Sequence, residues 1–143
     1  MIITNDANRL SIPCQPATMR EGLEIIKKLD EELKRTERDG NPGIGLAANQ
    51  IGINKQVCIV RTKKSSISLI NPFIISFNKP IIVDGEGCLS FPDKTVKTRR
   101  YHEIHVIDDL NEEMFLTGLE AICVQHEVDH LNGITMMDRE IDE

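Results

Sequence analysis

At 143 residues the chain suits one compact domain, large enough to bury roughly 68–70% of the surface its unfolded form exposes. It is 40% hydrophobic and 28% charged with only 3% aromatics, so an aliphatic core is expected. The formal net charge of −6, with basic residues dispersed along the chain, argues against a nucleic-acid backbone or an anionic membrane as the main partner.

No apolar run approaches the ~18 residues of a membrane span. The opening MIITNDANRLSIPCQ has neither a signal-peptide core nor a transit-peptide composition, so the chain is expected to work in the compartment where it is made. Cys14, Cys58, Cys88 and Cys123 are widely spread and are expected to be reduced thiols.

Residues 1–17 read as an extended arm, because Pro13 and Pro16 disfavour helix. From Thr18 the period becomes helical. Leu23, Ile26, Leu29 and Leu33 mark an apolar stripe, Thr18 and Glu21 suggest a capping box, and Gly40-Asn41-Pro42-Gly43 a terminator. GIGLAANQIG (43–52) reads as a structured loop. Strands are predicted at 56–60, 66–70, 73–77 and 80–84, punctuated by Asn71-Pro72 and Asn78-Lys79-Pro80. EGCLSFPD (86–93) reads as another loop, 95–99 and 102–108 as alternating strands, and Asn111 to Glu113 as a turn into MFLT. A second helix is predicted from Thr117, where T-G-L-E forms a capping-box pattern, to about Asn132, with Gly133 as its stop. The fold class is α+β: small antiparallel or mixed sheets packed around a central helix carrying HEVDH, with one N-terminal helix, in a single domain over 1–143.

That second helix holds the chemistry. His126, Glu127 and His130 form H-E-x-x-H, which puts two imidazoles on one helical face with a carboxylate beside them as general base. Two histidines at this spacing also occur as ordinary helix residues bonded to carbonyls or water, so the pattern needs a third ligand to carry weight. The metzincin continuation H-x-x-G-x-x-H fails, because Met136 stands where its last histidine would be, and no downstream helix is expected to supply a glutamate. The ligand should therefore lie upstream. His102 and His105 sit on opposite faces of a strand, so at most one points inward. Cys88, in a glycine-bearing loop beside Glu86, is the remaining candidate, with Cys123 a rival that spacing does not remove; Cys14 and Cys58 read as small hydrophobes.

Three segments then coincide in order: GIGLAANQ (43–50), EGCLS (86–90) and QHEVDH (125–130). Together they resemble the peptide deformylase motifs G-x-G-x-A-A-x-Q, E-G-C-L-S and H-E-x-D-H, and with the N-terminal helix and LINP (69–72) the resemblance covers nearly the whole chain. It implies Cys88, His126 and His130 as metal ligands and Fe2+ as the metal, while Zn2+, Ni2+ or Co2+ would suit the same donors. It implies removal of the formyl group from N-formyl-methionyl nascent peptides. A metal-activated water attacks the formyl carbon, with Glu127 as general base and acid and the Gln50 amide and Leu89 N–H stabilising the oxyanion.

Ile44, Leu119, Ile122 and Cys123 are the expected methionine pocket, and Gly45 the backbone edge on which a peptide would pair. Glu86, Arg100 and Asp129 are expected to support the ligands from behind, and Ser90 to donate within its loop. Asn49, standing where many relatives have proline, is expected to loosen its loop slightly. The chain stops ten residues after Gly133, which suggests a minimal form of the family without a C-terminal extension. A monomer is expected, cytoplasmic (in a host cell if virus-encoded), with at most transient ribosome contact. Two rivals remain: a zinc endopeptidase, and an inactive relative serving as a binding module, against which the retention of Glu127 argues.

Overall fold

The structure, a computed structural model, describes residues 1–40 and 44–142. Helix α1 (Ala7–Leu10) is a single turn on which the Asp6 side chain accepts from the Arg9 N–H at 3.2 Å. It interrupts the arm expected to be extended throughout. Helix α2 (Met19–Arg38) starts with the expected capping box: Glu21 N–H donates to Thr18 Oγ1 at 3.1 Å and Thr18 N–H to Glu21 Oε1 at 2.8 Å. Two donors that the first helical turn would orphan are thus satisfied reciprocally. Its buried stripe is Gly22, Ile25, Leu29 and Leu33. Leu23, expected on the stripe, is 45% exposed, because the helix turns its Gly22 edge against Ile70 and one residue on is a rotation of about 100°. The helix ends at Asp39 and a left-handed Gly40; Asn41, Pro42 and Gly43 of the expected terminator lie outside the described residues.

Two antiparallel sheets follow. The first has the order β1-β2-β3, from β1 (Gly45–Ala47), β2 (Val57–Arg61) and β3 (Ser66–Ile70). Part of the segment expected to be loop is therefore strand, and Ala48–Ile51 is a 3-10 turn. Three residues of strand are too few to show a period in sequence, and their pairing with Cys58 to Val60 is a long-range contact. The second sheet has the order β4-β5-β6, from β4 (Phe73–Cys88), β5 (Phe91–Asp108) and β6 (Glu112–Thr117). Four expected strands merge into two long ones. Pro80 does not break β4 because β4 is an edge strand, where a missing N–H is tolerated. Register shifts near Ile74, Asp84 and Gly87 bend the ribbon. The expected 86–93 loop is instead the tip of this hairpin, with Cys88 the last residue of β4 and Leu89-Ser90 the turn.

Helix α3 (Gly118–Leu131) packs against both sheets. Thr117 is its N-cap but makes no side-chain cap bond, so the expected capping box is absent; a left-handed Gly118 (φ 63°) redirects the first turn. Residues Val124 to Leu131 are all buried. Ala121, Val124, Val128 and Leu131 fill one core cluster with Cys58, Val60, Leu69 and Ile104, and α2 closes a second over Leu46, Val57 and Ile59. Full burial of one such aliphatic side chain stabilises by about 1.5–3 kcal/mol. The helix is pinned as well as packed. Gln125 donates to Tyr101 O at 2.7 Å and accepts from Tyr101 N–H at 3.0 Å. Gly133 (φ 76°) ends it as expected, and a Cβ there would lie 2.6 Å from the Ser11 carbonyl oxygen. No helix among the described residues is long and apolar enough to cross a membrane.

Candidate metal centre and substrate cleft

The hairpin tip of β4–β5 leans over α3, bringing Cys88 to the two histidines. Ligand atoms of Cys88, His126 and His130 all lie within 4.8 Å of one another, and Cys88 Sγ is 3.3 Å from His130 Nε2. A tetrahedral ion bound at ordinary Zn–S and Zn–N lengths would set its ligand atoms about 3.4–3.6 Å apart. Small side-chain adjustments suffice to close the group on an ion, so one thiolate and two imidazoles fit a borderline-soft divalent metal. Cys123, the rival thiol, is not part of the group; it lines the adjoining cleft, and burial pushes its thiol up to about 12. His105 points instead to Glu113, at 2.9 Å. Cys14 and Cys58 are buried in the core as expected.

Behind the ligands stands a closed ionic network. Glu86 Oε2 accepts from His126 Nδ1 at 2.6 Å and from Arg100 Nη2 at 2.6 Å, while its Oε1 accepts from Thr98 Oγ1 at 2.7 Å and Arg100 Nε at 2.9 Å. Arg100 Nη1 reaches Asp129 at 2.6 Å, and Arg139 adds two bonds of 3.0 Å to the same carboxylate. The expected trio Glu86, Arg100 and Asp129 is thus one connected unit. Burial alone would raise the Glu86 pKa, but hydrogen bonds from His126 and Arg100 hold it well below the usual carboxylate range. With its Nδ1 engaged by Glu86, His126 presents Nε2 to the centre, and the carboxylate fixes both the tautomer and the ring orientation.

Among the described residues Glu127, unlike Glu86, makes no ion pair. It is 4% exposed, its Oε1 has no hydrogen-bond partner, and burial pushes its carboxyl up to about 7 despite the nearby His126. A carboxyl poised near neutrality beside a metal centre is suited to exchanging protons. Gln50, only 2% exposed, is aimed by two bonds: its Oε1 accepts from Ala47 N–H at 2.9 Å and its Nε2 donates to Ser90 Oγ at 3.0 Å. That Nε2 also sits 3.7 Å from Cys88 Sγ. Ser90, expected to donate within its loop, is an acceptor for Gln50.

In front of these groups opens a cleft of about 470 Å³, lined by Ile44, Gly45, Leu89, Leu119, Ile122 and Cys123 together with Gln50, Cys88, His126 and Glu127. Every expected pocket residue borders it. Leu119, expected in the methionine pocket, is 50% exposed because it stands at the open rim. Among the described residues strand β1 pairs with β2 alone; on its other edge the Ala47 N–H is taken by Gln50, while Gly45 borders the cleft. Gly43, the first glycine of its motif, lies outside the described residues.

A model of the polypeptide deformylase family matches residues 1–143. The chain belongs to the polypeptide deformylase family. It is thereby a hydrolase, an enzyme of the peptide deformylase kind, as the three motifs imply. A peptide deformylase of Heliobacterium modesticaldum is 46% identical over 101 residues, an alignment spanning 68% of this chain and 66% of that one. Among solved structures, a probable peptide deformylase from Synechococcus phage S-SSM7 superposes with a TM-score of 0.84 at 32% identity, covering 97% of this chain and 98% of its own. A peptide deformylase of Acinetobacter baumannii bound to Met-Ala-Ser superposes with a TM-score of 0.80 at 29% identity, covering 97% and 96%. The deformylase family is metal-dependent, and the Cys/His/His group is the corresponding feature here.

Three participants escaped sequence reasoning. Thr98 and Arg139 are distant in the chain from the carboxylates they hold, and nothing in their own motifs marks them. Asn49, expected to loosen its loop slightly, donates its Nδ2 to the His130 carbonyl at 2.6 Å, a tie from that loop to α3 that the sequence did not show.

Proposed function

We propose that the chain is one catalytic domain that removes the formyl group from N-formyl-methionyl peptides as they emerge from translation, releasing formate. The observation that carries this reading is the convergence of Cys88, His126 and His130 on one point, beside an unpaired Glu127 and an aimed Gln50. These three ligands would hold a divalent ion, Fe2+ by family resemblance, with Zn2+, Ni2+ or Co2+ compatible with the same donors. When bound, the ion supplies Lewis acidity, lowering the pKa of a water toward neutrality and polarising the formyl oxygen.

The remaining work falls to the chain itself. Glu127 takes a proton as the nucleophile forms and returns it to the departing amine. The Gln50 amide and the Leu89 N–H face the developing negative charge on the formyl oxygen, held in place beforehand so that little reorganisation is needed. Glu86 and Arg100 fix the His126 ring, and Asp129 fixes Arg100. Ile44, Leu119, Ile122 and Cys123 receive the methionine side chain, while the free β1 edge at Gly45 pairs with the peptide backbone as an added strand. The Met-Ala-Ser bound to the Acinetobacter relative supports a peptide with an N-terminal methionine as the ligand of this cleft. A monomer acting in the cytoplasm, in brief contact with ribosomes, fits this role.

The test is formate release from a formyl-Met-Ala-Ser peptide by anaerobically prepared, iron-loaded protein. Formate is expected from the wild type, and Cys88→Ala should lose both metal and activity. No formate from metal-loaded wild type would overturn the reading, and internal cleavage of longer peptides instead would favour an endopeptidase.

A further inference from the structure

Among the described residues, three buried side-chain atoms lack a hydrogen-bond partner: Glu127 Oε1, Asn49 Oδ1 and His130 Nδ1. The first belongs to the proton-transfer group. The other two are an acceptor and a donor on residues already joined, since Asn49 Nδ2 bonds the His130 carbonyl at 2.6 Å. Asn49 is 8% exposed and His130 only 1%, so bulk water does not reach either freely. An imidazole that presents Nε2 to a metal carries its proton on Nδ1, and that buried N–H requires an acceptor. His126 has Glu86 for this purpose; among the described residues no carboxylate meets His130 Nδ1.

We infer that Asn49 is the positioning residue for His130: its amide holds the His130 carbonyl with Nδ2 and receives the His130 Nδ1–H on Oδ1 through one bound water. The inference rests on His130 being a metal ligand. It assigns to the two imidazoles unlike supports, a charged one for His126 and a neutral one for His130. The neutral support adds no second buried charge to an already charged site, and it fixes the tautomer by hydrogen bonding alone. Asn49 also links the loop carrying Gln50 to the helix carrying the ligands. Asn49 thereby adds a tie between the oxyanion group and the metal group beside the Gln50–Ser90 bond.

The experiment measures zinc affinity by competition with a chelator and follows the His130 ring by 15N NMR, in wild type, Asn49→Ala and Asn49→Asp. Asn49→Ala should weaken zinc binding about 10–100-fold, the usual effect of losing such a partner, and its His130 Nδ1–H should exchange faster with solvent. Asn49→Asp, which keeps an acceptor oxygen, should restore much of the affinity and the slow exchange. Wild-type affinity and an unchanged ring resonance in Asn49→Ala would overturn the inference while leaving the metal centre intact. Should Asn49→Ala fold poorly, the wild-type spectrum decides: a His130 proton on Nε2, or a rapidly exchanging one on Nδ1, contradicts the assignment. Failure of the wild type to bind zinc at all would overturn both the inference and the ligand set beneath it.

Discussion

Gly45→Ala is the smallest change with a large expected effect. A Cβ built at Gly45 lies 2.5 Å from Glu127 Oε2 and 3.0 Å from its Cδ. Ordinary contact begins at about 3.4 Å, so the carboxylate must retreat by roughly 1 Å. Glu127 is 4% exposed and cannot swing into solvent. The backbone at residue 45 is not left-handed, so alanine is conformationally acceptable there. The substitution should therefore leave fold and metal binding in place while displacing the proton-transfer group. A 1 Å misplacement of catalytic geometry costs on the order of 10²-fold. Steady-state formate release should show kcat lowered by about that factor. Circular dichroism and metal content should remain those of wild type. An alanine variant with undiminished kcat would refute the placement of Glu127 against β1.

Glu127→Gln should retain metal and lose turnover by about 10²–10⁴-fold, the range for a general acid–base group, as read by formate release beside metal analysis. Arg100→Met removes the arginine from buried Glu86 and leaves Asp129 with Arg139 alone, so a denaturation midpoint should report a loss of up to about 3–5 kcal/mol. The Glu86 carboxyl titrates below its unfolded value, so its stabilisation is present above the ordinary carboxylate range and is lost as pH falls toward the folded pKa. Thermal melts from pH 7 downward should fall more steeply for wild type than for Glu86→Gln.

The parts of this molecule legible in sequence were those whose signal is local. The capping box of α2, the α3 helix and its Gly133 stop, and the inward pairing of His126 with His130 all follow from period and end chemistry. What sequence did not show was set by partners far along the chain. Pro80 looked like a break because nothing local reveals that β4 is an edge. Cys88 was one of two thiols the residues themselves left open, and only the three motifs together singled it out; its nearness to His130 spans 42 positions. Thr98, Arg139 and Asn49 matter through what they touch, and single polar residues carry no such mark.

The most direct test of the account is the metal's own coordination sphere, read by X-ray absorption on the zinc-loaded protein. The account predicts one sulfur at about 2.3 Å and two imidazole nitrogens at about 2.0–2.1 Å, with the sulfur contribution lost in Cys88→Ser. A wild-type spectrum without sulfur, or a sulfur that persists in Cys88→Ser, would contradict it.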